Sequence, residues 1–212
     1  MIRFSLWSVI VTCALISSFP GCRSVTPPVN YYSMSSIGGQ AGEAVADGGP
    51  AMSIGILAVQ LPGYLNRTQM MTRSGLHRME IASLHRWVDY PDRMVQQVLG
   101  DNLQVLMPRA HVVNVPWPAG LKPDLTVSVH FLELIGTTDG QVLLGAIWRI
   151  AGPGRQAMAP SHRTRLAVPM SGRGFDALAA AHSRVLSDLC REIADTLGTM
   201  RSGEAGQHRP AS

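Results

Sequence analysis

Hydrophobic and polar positions alternate with two periods along this chain. A period of two marks residues 53–61, where Ile54, Ile56, Ala58 and Gln60 alternate with Gly55, Leu57, Val59 and Leu61 before Pro62 ends a buried strand. It returns at 125–134, with Leu125, Val127, Val129 and Phe131 set against Thr126, Ser128 and His130, as in a half-buried strand. A turn at 136–140 leads to 141–150, with Val142, Leu144, Ala146 and Trp148 in register. Gly152-Pro153-Gly154 then turns the chain toward a strand at 164–168, so that these strands form a meander. Shorter strands are predicted at 31–34 and 112–115, and extended pieces near 69–73 and 76–81, followed by a pre-helical link that carries Trp87.

A period near 3.6 appears twice. Pro91 and Asp92 suit a helix's first turn, and Met94, Val95, Val98, Leu99, Leu103 and Leu106 then give one apolar face before Pro108 stops it. The second helix runs over 175–197 with Phe175, Leu178, His182, Val185, Leu186, Leu189, Ile193 and Leu197 as its stripe, and Gly198 is its expected stop. Residues 35–50 are rich in Gly, Ala and Ser and are read as a flexible loop, and the polar stretch 201–212 as a disordered tail. The expected fold is α+β: a single domain over 31–200, with two helices packed on one face of a mixed, mostly antiparallel sheet.

The first residues read as a targeting segment. Arg3 followed by an apolar run over 4–16 forms a signal peptide, 1–21, and that run is shorter than the roughly 20 apolar residues a membrane span needs. Phe19-Pro20-Gly21-Cys22 resembles the lipobox of bacterial lipoproteins, although Phe19 stands where Leu is usual. The expected anchor is a lipidated Cys22 with 22–30 as a tether, and two or more acyl chains make such attachment effectively permanent. Arg23 stands where Asp would retain the protein at the inner membrane, which points to the outer membrane, periplasmic face. Removing the signal takes away Arg3 and no acid, so the charge falls from +4 to +3, too mild for nucleic acid. It also leaves Cys190 without an intramolecular disulfide partner.

Catalytic chemistry finds no foothold. The seven histidines show no H-x-H or H-E-x-x-H spacing, so no metal is expected, and His182 on the helix stripe reads as a core residue. Cys190 falls on a buried face that disfavours a thiolate, and there is no G-x-S-x-G elbow. Gly172-Arg173-Gly174 resembles the start of a dinucleotide fingerprint, but no second parallel strand can follow it. Neither cofactor nor enzymatic activity is expected. Aromatic and Arg residues carry most binding energy where loops cluster them, so Tyr64, Arg67, Arg73 and Trp87 are candidates for an interaction surface, with Trp87 better read as core and Arg67 and Arg73 readable equally either way.

Tyr31-Tyr32, the strand ending Leu61-Pro62, Tyr64-Leu65-Asn66-Arg67-Thr68-Gln69-Met70-Met71-Thr72-Arg73, Arg86-Trp87-Val88-Asp89 and the helix carrying Val98-Leu99 and Asn102-Leu103 together resemble the ABC-type transport auxiliary lipoproteins. In that family the central motif usually reads Tyr-Leu-Asp-Arg-Pro-Gln. Tyr64, Leu65, Arg67, Gln69 and Arg73 fit it, while Asn66 and Thr68 depart from it. The resemblance implies a non-enzymatic accessory subunit of an ABC- or MCE-linked system carrying lipid between the inner and outer membranes. Its partners would be MCE-domain or ABC-transporter proteins, with a homo-oligomeric ring as its form. The alternative is a lipoprotein cofactor of another envelope machine, for lipopolysaccharide delivery or cell-wall synthesis. Tyr64, Leu65, Arg67, Gln69, Arg73 and Trp87 are the implied contact residues.

Overall fold

The computed structural model describes residues 27–38, 52–153 and 159–207. The signal segment, Cys22, most of the tether and most of the Gly/Ala-rich loop therefore lie outside the described residues, as do 208–212. The elements are β1 (Asn30–Tyr32), β2 (Met52–Ile56), β3 (Gln69–Ser74), β4 (Arg78–Trp87), α1 (Pro91–Leu106), β5 (Ala110–Asn114), β6 (Leu125–Thr137), β7 (Gln141–Ala151), β8 (Ser161–Pro169) and α2 (Phe175–Gln207).

All eight strands join one sheet whose centre is β6. On one edge β6 pairs with β7, and β7 with β8, both antiparallel, which is the expected meander. On its other edge β6 carries two strands end to end. Its first residues pair with β2 (Ile54 with Leu125) and its last with β3 (Thr72 with Gly136), both parallel. Beyond β2 lies β5, and beyond β3 lie β4 and then β1. Four of the seven strand pairings, β1 with β4, β2 with β5, β2 with β6 and β3 with β6, are parallel, so the sheet is mixed rather than mostly antiparallel. The physical reason is connection length. A three-residue turn over 138–140 folds β7 back on β6, and β8 follows β7 directly in the chain, but β1, β2 and β3 reach their partners across long connections, and α1 lies between β2 and β5 as a crossover helix.

The helices α1 and α2 pack side by side over the inner face. Their apolar stripes and the alternate strand residues Ile54, Ile56, Val127, Val129, Phe131, Val142, Leu144, Ala146 and Trp148 form one buried cluster. Polar links fix this layer: Trp148 Nε1 donates to Thr164 Oγ1 at 3.0 Å, and that hydroxyl donates to Glu192 of α2. The chain after β1 is held by both helices, since Ser35 N donates to Ser183 Oγ at 3.0 Å and Ile37 N to Asn102 Oδ1 at 2.7 Å.

Two local expectations are corrected. Trp87 is the last residue of β4, in register with Tyr32 of β1, rather than part of a link. The second helix does not stop at Gly198 but runs to Gln207, so 201–207 is helical rather than disordered tail. An interior glycine costs a helix about 1 kcal/mol relative to Ala, too little to end one already packed through Leu197.

The outer face also imposes a local constraint. A Cβ at Gly55 would stand 2.6 Å from the Trp117 ring and 2.7 Å from Pro123 Cγ, because this indole lies against β2. Gly55→Ala is expected to cost about 1–3 kcal/mol through overpacking. Gly63→Ala, with nothing within 4 Å of the added atom, should stay within about 0.5 kcal/mol of the parent. Urea unfolding of the two variants separates them, and equal midpoints would contradict this packing.

Candidate functional site

The motif resemblance falls on the fork in the sheet. After the bridge of Gln60 to His130, twelve chain residues pass before Thr72 meets Gly136, while β6 advances only six. The surplus is thrown out as a loop over 61–68, closed by Leu65 N donating to Pro62 O and Arg67 N to Leu65 O, both at 2.9 Å. Trp87 N donates to Thr68 O at 2.7 Å, which ties the loop to the end of β4.

Asn66 gives this loop its second attachment. Tyr90, the residue before α1, offers no side-chain cap, and Pro91 has no N–H. Asn66 Oδ1 accepts from Asp92 N at 3.2 Å, so the amide oxygen caps the helix from across the fold. The departure from the family's Asp therefore keeps an acceptor where the helix needs one and gives up only the charge.

Leu65 turns inward and is buried. Leu65, Gln69 and Trp87 converge with Met34, Leu134 and His182 around a cavity of about 20 Å³ at the fork. That volume accommodates about one water and no organic ligand. Trp87 stands edge-on to His182, with ring centroids 5.2 Å apart. Burial pushes the imidazole of His182 down to about 4, opposed by backbone hydrogen bonding to Leu178 and Leu134. Its Nδ1 lies 2.9 Å from Leu178 O.

The remaining motif residues point elsewhere. Arg73 reaches the outer sheet face, where its guanidinium lies 3.2 Å from Glu133 of β6. Tyr64 is 47% exposed at the loop's tip, and Arg67 is half-buried and enters none of the ion pairs among the described residues. The six candidates thus divide: Leu65, Gln69 and Trp87 come together as the loop's footing, Tyr64 and Arg67 as its surface, and Arg73 on another face. Cys190 is buried as the stripe predicts, and burial pushes its thiol up to about 12. Sequence reasoning missed the roles of Asn66 and Glu133. The signal for Glu133 was available, since it is the only acid in β6, β7 and β8.

Comparison with known proteins adds the following. A family model described as the ABC-type transport auxiliary lipoprotein component matches residues 32–194. An uncharacterized protein of known crystal structure superposes with a TM-score of 0.67 at 18% identity, covering 81% of this chain and 99% of that one. A Xanthomonas campestris protein does so with a TM-score of 0.65 at 11% identity, covering 85% and 100%. At these identities the likeness is one of fold. PelC of Paraburkholderia phytofirmans, a dodecamer, gives a TM-score of 0.36 at 14% identity over 66% of this chain and 89% of its own, too partial a likeness to bear on assembly here. No curated protein matches.

Two expectations test the loop's footing. Asn66→Ala should lower stability by about 1 kcal/mol while Asn66→Asp preserves it, as measured by urea unfolding. Loss of equal size in both would refute the cap. His182 is neutral in the fold, with its pKa below the unfolded value of 6.5. Its contribution is therefore complete above pH 6.5 and is lost as pH falls toward 4, by about 3 kcal/mol in all. His182→Gln should flatten that part of the stability profile, and an unchanged slope between pH 6.5 and 4 would remove His182 as its source.

Proposed function

Since the chain belongs to the ABC-type transport auxiliary lipoprotein family, we propose that it is a non-enzymatic adaptor on the periplasmic face of the outer membrane, anchored through a diacylated Cys22. It joins an ABC- or MCE-linked system that carries lipid between the two membranes, with an MCE-domain or ABC-transporter protein as its partner. The observation that carries this reading is the loop 61–68. Its backbone is tied to β4 and its Asn66 to α1, and it holds Tyr64 outward on a footing of buried Leu65 and Trp87. Its cavity has room for about one water, and a pre-shaped aromatic loop without a ligand pocket suits protein contact. Tyr64 and Arg67 are the side chains assigned to that contact. The ring of several copies belongs to the same reading.

Mild-detergent purification of the tagged full-length protein from native membranes tests it. The expected result is an acylated N-terminal Cys22 peptide in the outer-membrane fraction and an ABC-type or MCE-domain protein in the eluate, with copy number read from the mass of the complex. Cys22→Ala should yield a folded protein lost from the membrane fraction. Its normal retention there would defeat the anchor.

A further inference from the structure

The pleat of β6, β7 and β8 sends alternate side chains away from the helices, and strand register assembles these into three rows. Ser128, Arg149 and Ser161 form the first, His130, Ile147 and Arg163 the second, and Glu133, Gly145 and Arg165 the third. A bulge between Phe131 and Glu133 sets two consecutive β6 residues, Leu132 and Glu133, on this face. Gly145 makes room for them, since a Cβ there would lie 3.2 Å from Glu133 Cγ.

Charge on this face is one-sided. Arg149, Arg163 and Arg165 are exposed, and none has an ion-pair partner among the described residues. Glu133, the single acid these strands contain, is already engaged by Arg73. Arg163 and Arg165 are two residues apart on one strand and so roughly 7 Å apart, a spacing that suits successive carboxylates. Beside them runs a trough of about 600 Å³ lined by Leu57, Ala58, Val115, Ile147, His130 and Arg149. Leu132 is 36% exposed, and on the far side of Arg73 so are Met79 (37%) and Ile81 (50%). Arg and Met around an apolar centre, with the strands' one acid already paired, is the composition of a protein interface.

We propose that this outer sheet face docks an acidic segment of the partner protein, with Arg149, Arg163 and Arg165 taking its carboxylates and the trough beside Ile147 receiving an apolar side chain. The inference rests on the adaptor reading and gives that partner a chemistry. A second copy of the chain fits poorly, because face-to-face pairing would bring six arginines together. A bilayer surface supplies negative charge, but it is a broad plane that bridges a trough rather than filling it. A polypeptide supplies both the charge and the apolar side chain.

The test uses the full-length lipoprotein in native membranes with photoreactive benzoylphenylalanine in place of Ile147, and peptide mapping of what it captures. The expected capture is one Asp/Glu-rich stretch of the co-purifying transporter protein. Its yield should fall about tenfold in the R149E/R163E/R165E background, with membrane fractionation and urea midpoint unchanged. R149Q/R163Q/R165Q should fall between the two, which separates charge recognition from misfolding. Capture of lipid, of a second copy or of a non-acidic stretch overturns the proposal, as does a yield indifferent to charge reversal. No capture from a complex that still co-purifies overturns this face alone. If no ABC-type or MCE-domain partner co-purifies with the parent protein, the adaptor reading falls and takes this face with it.

Discussion

Thirteen residues of β6 must satisfy hydrogen bonds on two edges, and the way they do so shapes the molecule. One edge is filled by β7 along nearly its whole length. The other is shared by β2 and β3, which run the same way and would form one continuous strand if the chain between them kept pace with β6. Six surplus residues break that continuity. Buried backbone groups need partners, and here the surplus loop supplies its own internal turns while Gln60 still exchanges hydrogen bonds with the middle of β6: its N–H donates to Val129 O, and its carbonyl accepts from Phe131 N. The sheet therefore forks with the middle of β6 still bonded on this edge.

The fork explains why the motif residues stand where they do. A loop set into the edge of a sheet exposes apolar strand residues at the gap, and Leu61, Leu65, Met71 and Trp87 close over Leu134 and Ile135. What remains is a space near 20 Å³, flanked by a histidine kept neutral by burial. Asn66 links the same loop to the start of α1, so the helix dipole and the loop hold each other in place. Leu65, Asn66 and Trp87 thus serve the loop's position, and Tyr64 is free to face solvent.

Local pattern was legible in the sequence wherever one face of an element was buried by itself. The meander, both helix stripes and the buried placement of His182 and Cys190 follow from periodicity alone, because alternation of Val127, Val129 and Phe131 or repeats such as Leu186, Leu189 and Ile193 encode which side meets the core. Pairing partners were not legible. Nothing in residues 52–56 states that their neighbours lie at 110–114 and 125–127, and the default of antiparallel neighbours fails when long connections intervene. The helix end at Gly198 was misjudged for a related reason: a stop signal read from one residue was outweighed by packing of the helix as a whole. The candidate site was half legible. The motif found the loop, but not that Arg73, close to it in the chain, goes to the outer face while Trp87, at the far end of β4, returns to the loop's footing.

That separation gives the domain two distinct sides. The inner face is closed by α1 and α2, with its polar groups tied by Trp148, Thr164 and Glu192. Among the described residues the outer face carries no helix, and its strands alternate apolar-in and basic-out, as an antiparallel meander with one solvated side should. A face meant only to be wet would normally carry both signs of charge, since interspersed acids and bases limit self-repulsion. Here Glu133 is tied to Arg73, and the three arginines beyond it face outward with no acid near them in the strands. The imbalance is local, because the whole chain carries a net charge of only +4. A local excess on a rigid sheet, beside a trough the sheet itself leaves open, is therefore a property of that surface and not of the protein's overall composition.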